Sequence, residues 1–346
     1  MDAIKSILSI KNIMYFRIIG GLYYKVSSNK IITGLLKTYC VFISVTILTR
    51  TTISLLDTNT NTTIIRVSLQ LLMYQTNFLV NILFETEHFD DFLNKIKETD
   101  VMIHYNEKFD PIPVSRTLLI AGLCVRISSH LKFCTFTFCD PTVLLIDLAI
   151  ILSHFTRIMT FEIIWHRMQL LCKHFDQQLN IARMEPDGAI VERLRNCMIA
   201  YKKILNTTER SEATMKPLIF IAAVLIIPKL LNVVFAISEL RHVIGYSICT
   251  IESLVDITMY FAPALLAELA KGSVDRLKSI VTAQLLNCEG DTTRNAIEDA
   301  MMFFQHHPFQ YTVWRLFTVD GTLILSVIGL LTTYTVAMVQ ISHLFQ

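Results

Sequence analysis

The sequence has few charges and none of the motifs that mark an enzyme. Only 17% of its 346 residues are charged, against about 25% in an ordinary soluble domain. No CxxC and no zinc-ligand spacing occurs, so the eight cysteines are expected to be buried small apolar side chains. No HExxH, no GxSxG and no phosphate-cradling glycine loop is present. His166 and His174 are too far apart for a ligand pair, and His306-His307 is an isolated doublet, so packing or surface roles are expected for them. These gaps speak against catalysis, a metal site and a cofactor. A net charge of only +2 leaves no footprint for nucleic acid. No cleavable signal peptide is expected either. Lys5, Lys11, Arg17, Lys25 and Lys30 are spread through residues 1–30 rather than grouped before one apolar core, which reads as a basic amphipathic cytosolic leader.

Long apolar runs are plentiful. Hydrophobic residues make up 53% of the chain and mean hydropathy is +0.49. A bilayer core needs roughly 20 apolar helical residues, and seven segments qualify: 31–56, 63–86, 116–138, 142–170, 217–238, 243–267 and 318–343. The second, third and fourth are interrupted by polar residues, which are costly in lipid and face a bundle interior or a wet cavity. With an inside N-terminus, segments 1–30, 87–115, 171–216 and 268–317 carry 21 Lys and Arg, while the outer segments carry only Arg241. That bias predicts an inside N-terminus, seven spans and an outside C-terminus. The sequon at Asn61 falls in the first outer loop and is a candidate for glycosylation. The topology inverts that of G-protein-coupled receptors, and neither Asp-Arg-Tyr nor NPxxY stands where those receptors carry it.

The inner segments read as helices. Residues 171–184 continue the fourth span, Glu185–Gly188 make a turn, and 189–205 run back amphipathically toward the fifth. The sixth span extends inward to about 286, Asp291 reads as a new N-cap, and 295–307 form one more helix. Apolar faces on such projecting helices suit contacts between subunits.

Polar residues within the spans admit two readings. Glu252 and Asp256 share one helical face in the sixth span, with Tyr246 in the outer half and Tyr260 deeper. Arg126, His130 and Lys132 lie in the third span, Asp147, His154 and Arg157 in the fourth, and Lys229 in the fifth. Either these acids and bases pair and fix helix register, or some of them (Arg126, His130, Asp147, His154, Tyr246, Glu252 and Asp256) line a wet pocket for a small organic ligand.

The last segment, WRLFTVDGTLILSVIGLLTTYTVAMVQ, resembles the C-terminal signature of insect gustatory receptors, which ends in Thr-Tyr, five mainly hydrophobic residues and Gln-Phe. Thr333, Tyr334 and Gln340 match in register, and Ile341 replaces the phenylalanine. The resemblance implies a seven-transmembrane, tastant-gated, nonselective cation channel in the plasma membrane. It implies homotetramers, or heterotetramers with related receptors, whose last helices line one pore. It divides the chain into a cytosolic segment 1–30, spans one to four over 31–170, a helical anchor segment 171–216, spans five and six over 217–267, a second anchor segment 268–317, and the pore helix with a short outer tail over 318–346. Sugar receptors of that family carry Glu directly after Thr-Tyr. Thr335 stands there instead, which favours the bitter type over the sugar type. In this frame Gln340 contributes a polar ring, and Ile341 with Val336 or Ala337 the apolar surface of a gate that closes by dewetting. The alternative is that Gln340 only bridges helices. Thr333 and Tyr334 are expected to pack the helix on its own subunit, the Tyr334 hydroxyl bonded to a neighbouring span. A polytopic small-solute transporter is the competing class, but the sequence lacks the internal repeat that such folds favour.

Overall fold

A computed structural model of the chain describes residues 10–26, 29–56, 61–84, 87–102, 112–134, 141–182, 188–239, 243–285 and 290–344. In chain order the elements are α1 (Ile10–Ile19), α2 (Lys30–Leu56), α3 (Asn61–Leu83), α4 (Glu87–Met102), α5 (Pro113–Cys134), α6 (Pro141–Ala182), α7 (Gly188–Glu239), α8 (Val243–Leu285), α9 (Asp291–His306), the two-residue strands β1 (Thr312–Val313) and β2 (Phe317–Thr318), and α10 (Gly321–Leu344). The protein is an all-α membrane protein. Each predicted span falls on one of the seven longest helices, except that the seventh begins in β2 and the turn after it, and that the ends of the second (85–86) and third (135–138) lie outside the described residues. By length and apolarity, α2 and stretches of α6, α7 and α8 are each sufficient to cross a bilayer. In α3 and α5, inward-facing polar groups lower the apolarity.

Helices α6, α7 and α8 run to 42, 52 and 43 residues. At 1.5 Å per residue that is roughly 60–80 Å, about twice a bilayer core. Such helices must project well beyond the membrane. Pro217 and Pro228 sit inside α7, and Pro263 inside α8, without ending the helices. Membrane helices tolerate this when neighbours satisfy the freed carbonyls. Beside Pro217, Arg157 Nη1 donates to the Leu218 carbonyl at 3.2 Å.

Helix α6 is the axis of the bundle. Its side chains from Ile146 to Ile164 are almost all buried, and α1, α2, α3, α5, α7 and α8 all pack against it. Glu162 is fully buried there and caps a different helix. Its carboxylate accepts from the Val114 and Ser115 backbone N–H groups, both at 2.8 Å, and from the Ser115 hydroxyl at 2.5 Å. A negative charge against unpaired N–H groups at a helix start is favourable twice over, through hydrogen bonds and through the helix dipole. Pro113 begins α5, a position where a missing N–H costs nothing.

Three features differ from the sequence reading. The leader packs into the bundle: Ile13, Met14, Leu22 and Tyr23 are buried. Arg17, only 2% exposed, donates to Asn81 Oδ1 at 2.7 Å and Thr156 Oγ1 at 3.1 Å. Polar partners on α3 and α6 make room for a guanidinium that hydropathy would leave outside. Gly21 (φ 76°) adopts the left-handed conformation just after α1. Secondly, Gly290 caps α9 and Asp291 is its first helical residue, where its charge meets the helix dipole. Thirdly, a hairpin stands between α9 and α10. Leu316 N–H donates to the Val313 carbonyl at 2.8 Å across a turn whose central residues, Trp314 (φ 46°) and Arg315 (φ 61°), are both left-handed. Without glycine this turn is strained. It is held by the Val319 N–H to Tyr311 carbonyl bond at 2.8 Å and by Trp314 against the Phe220 ring, 5.3 Å between centroids.

Candidate functional site

Five helices converge on one charged cluster. Arg126 on α5 is its centre and is 4% exposed. Its guanidinium lies 2.5 Å from Asp256, 3.5 Å from Glu252 and 3.8 Å from Asp147. Arg66 on α3 reaches Glu252 at 2.6 Å, and Lys229 on α7 reaches Asp256 at 2.9 Å. Asp147 on α6 accepts a hydrogen bond from Gln70 Nε2 at 2.8 Å. Glu252 and Asp256 are four residues apart on α8, and Arg66 and Gln70 four apart on α3, so each pair shares a face and the two faces oppose one another. Three cations and three carboxylates balance. Arg126, Asp147 and Glu252 are buried, and burial of charge is tolerable only with such pairing.

The cluster gathers Arg126, Asp147, Glu252 and Asp256 from the sequence-predicted ligand set, and Lys229 from the wider polar set. Arg66 and Gln70 were not anticipated. They lie in a weak span where they read as interruptions, although their spacing of four was the available signal. His154 is buried nearby on α6, where its Nδ1 accepts from Arg157 Nη2 at 2.7 Å. His130 lies one turn beyond Arg126 on α5 and is half-buried. The Tyr246 side chain lies outside the described residues. Tyr260 is buried one turn past Asp256, its ring edge-on to Phe261, and its hydroxyl makes no hydrogen bond among the described residues. No group of His, Cys, Asp and Glu suited to a metal ion occurs among the described residues.

Helix α10 is attached to the chain along one edge. Its described contacts are with α7, α8 and β2, through Leu323, Ile324, Val327 and Leu331 against Ala222, Ile226, Leu230 and Tyr260. Val327 is its only buried side chain among the described residues. At 100° per residue, Thr322, Ser326, Gly329, Thr333, Val336 and Gln340 form a stripe on roughly the opposite side. The Ser326 and Thr333 hydroxyls bond to carbonyls one turn back, and Gln340 is exposed. The expected packing of Thr333 and Tyr334 within their own subunit is not found: Thr333 is exposed on the outer stripe. The Tyr334 ring is 49% exposed and its hydroxyl makes no hydrogen bond among the described residues. It points to the same side as Val327, but beyond Leu331 no described neighbour covers it. Val336 is exposed and Ala337 half-exposed; the side chains of Asn61 and Ile341 lie outside the described residues.

Asp320 prepares the start of α10. Its carboxylate accepts from the Thr322 N–H at 2.9 Å, the Thr322 hydroxyl at 2.5 Å and the Thr318 hydroxyl at 2.9 Å. Glu268 of α8 also accepts from the Gly321 N–H at 3.4 Å, tying the last helix to the lower part of α8.

Neither a protein-family profile nor a curated protein sequence matches the chain. Among solved structures, the insect olfactory receptor OR5 from Machilis hrabei superposes with a TM-score of 0.68 at 14% identity, covering 96% of this chain and 97% of that one. The same receptor in complex with eugenol superposes with a TM-score of 0.61 over the same shares, also at 14% identity. The likeness spans nearly the whole of both chains, so this chain has the fold of that insect olfactory receptor.

Proposed function

We propose that the chain is a chemosensory receptor that works as a ligand-gated, nonselective cation channel, with four copies placing their α10 helices round one pore. The observation that carries this reading is the stripe Thr322, Ser326, Gly329, Thr333, Val336 and Gln340. It is mostly small and polar, it faces away from the helix's own chain, and in lipid its glutamine amide would be left unpaired at a cost of several kcal/mol. Water in a shared pore satisfies it. Val336, between Thr333 and Gln340, supplies the apolar constriction. The whole-chain likeness to an olfactory receptor solved with eugenol supports a small organic ligand. Within the chemosensory class, the Thr333-Tyr334-Thr335 sequence favours a bitter-type tastant receptor of the plasma membrane.

In this reading the charged cluster sets helix register, and a ligand reaches Arg126, Asp147, Glu252 or Asp256 only by displacing a partner. His130, half-buried one turn from Arg126, is the more accessible contact. The inside N-terminus and outside C-terminus follow from the charge bias. A transporter is not favoured, since the long helices run through their prolines unbroken and the sequence shows no internal repeat. Calcium imaging of expressing cells against alkaloids, glycosides and sugars tests the function, and tags at each end test the topology. A tag after Gln346 is labelled on intact cells and one before Met1 only after permeabilisation. The opposite labelling contradicts the topology, and silence to the whole panel in cells with surface protein contradicts the ligand class.

A further inference from the structure

A cavity of about 320 Å³ lies between the N-terminal segment and α4, far in sequence from the charged cluster and the last helix. Five side chains that can donate hydrogen bonds line it: Tyr15 on α1, Tyr24 and Lys25 on the extended stretch that follows, and Asn94 and Lys97 on α4. None of its described lining residues is acidic. The volume falls at the lower end of the range for small-molecule sites. Two ammonium groups, two phenols and an amide make a donor-rich hollow that suits a multiply charged oxyanion.

We infer that this cavity is a binding site for a phosphorylated headgroup of the phosphoinositide type. Lys25 and Lys97 hold phosphate oxygens from two sides, and the tyrosine hydroxyls and Asn94 bond the remaining oxygens or ring hydroxyls. Leu93 forms an apolar part of the wall. Beside the cavity, α1 and the stretch after it expose Phe16, Ile19 and Val26. Apolar side chains next to a basic hollow suit a lipid, its headgroup in the hollow and its acyl chains along α1. The proposed topology enters only in assigning the site to the inner leaflet; the binding chemistry is independent of it and of channel activity.

The test uses the purified full-length chain in detergent with dioctanoyl phosphatidylinositol 4,5-bisphosphate as the probe. Saturable binding is expected. Each of Lys25→Gln and Lys97→Gln weakens it by roughly tenfold, the loss of one charge-assisted contact. Lys202→Gln, an exposed lysine on α7, leaves it within about twofold. Leu93→Trp fills the hollow without changing charge and also abolishes binding, while the melting temperatures of all variants show that they are folded. Inositol 1,4,5-trisphosphate separates the two sources of the chemistry. If it competes only weakly the ligand is the lipid, and if it competes as well as the lipid does, the site takes a soluble phosphorylated sugar; both results support a phosphate site here. Absence of saturable binding, equal loss in Lys202→Gln, or normal binding by Leu93→Trp overturns the proposal. Because the readout is binding, it fails or succeeds separately from any measurement of current.

Discussion

Replacing Arg126 by methionine keeps most of the side-chain volume and removes the charge at the centre of the cluster. Its consequences are unequal among the three carboxylates. Asp256 retains Lys229 at 2.9 Å and Glu252 retains Arg66 at 2.6 Å, but Asp147 is left with only the Gln70 amide. Removing one partner of a buried ion pair costs about 3–5 kcal/mol, because the other charge stays buried. Arg126→Met should cost that much, and the orphan is identifiable. Adding Asp147→Asn leaves two cations, two carboxylates and two intact pairs, and should recover about 2 kcal/mol, of the size expected for coupled neighbours. Adding Asp256→Asn instead strands Lys229 and leaves Asp147 uncompensated, so that double variant should be the least stable. The assay is the half-life of the monodisperse peak of full-length protein heated in detergent, a rate measurement suited to irreversible unfolding. A double variant with Asp256→Asn that outlives the one with Asp147→Asn refutes the assignment of the pairs.

Glu162→Gln places amide hydrogens against N–H groups that now meet a carboxylate, and should cost about 2–4 kcal/mol for the charge-assisted bonds lost at the start of α5, read as a shorter half-life in the same assay; an unchanged half-life contradicts the remote cap. In expressing cells, Val336→Thr wets the constriction and should raise resting leak, and Gln340→Ala should alter cation selectivity or leak. Lower expression with unchanged conductance, selectivity and leak for Gln340→Ala would reduce Gln340 to a contact between helices. Burial pushes the Cys197 thiol above its ordinary pKa, which lowers its thiolate fraction at any given pH; maleimide should spare it in the folded protein at pH 8 and modify it after denaturation, as resolved by peptide mass spectrometry.

The spans and the long helical extensions were legible because apolar length and helical spacing are local signals, which α7 and α8 carry strongly and α6 carries despite its polar residues. Helix α4 was not read, since the charges of residues 87–108 dominated a pattern in which Phe92, Ile96 and Thr99 recur at helical spacing and are buried. The hairpin carried the opposite of a turn signal: Trp314 and Arg315 occupy backbone that glycine or asparagine normally takes. No local pattern identifies Glu162 as the cap of a helix 47 residues earlier, because the partner is fixed only once α5 lies against α6. Likewise Glu252 and Asp256 announced a polar face, but whether that face meets a ligand or Arg126 depends on which helices converge. Tyr334 illustrates the reverse: the sequence promised an intrasubunit partner, and the chain leaves its ring open on the side of α10 where neighbouring helices thin out.

The most direct measurement is single-channel recording from the purified full-length chain in planar bilayers, with a compound that evokes calcium signals in expressing cells applied from the side of the C-terminus. The account predicts discrete unitary steps in cation current that begin with the compound and end on its removal. Compound-dependent flux without unitary steps, saturating at the turnover of a carrier, would contradict it.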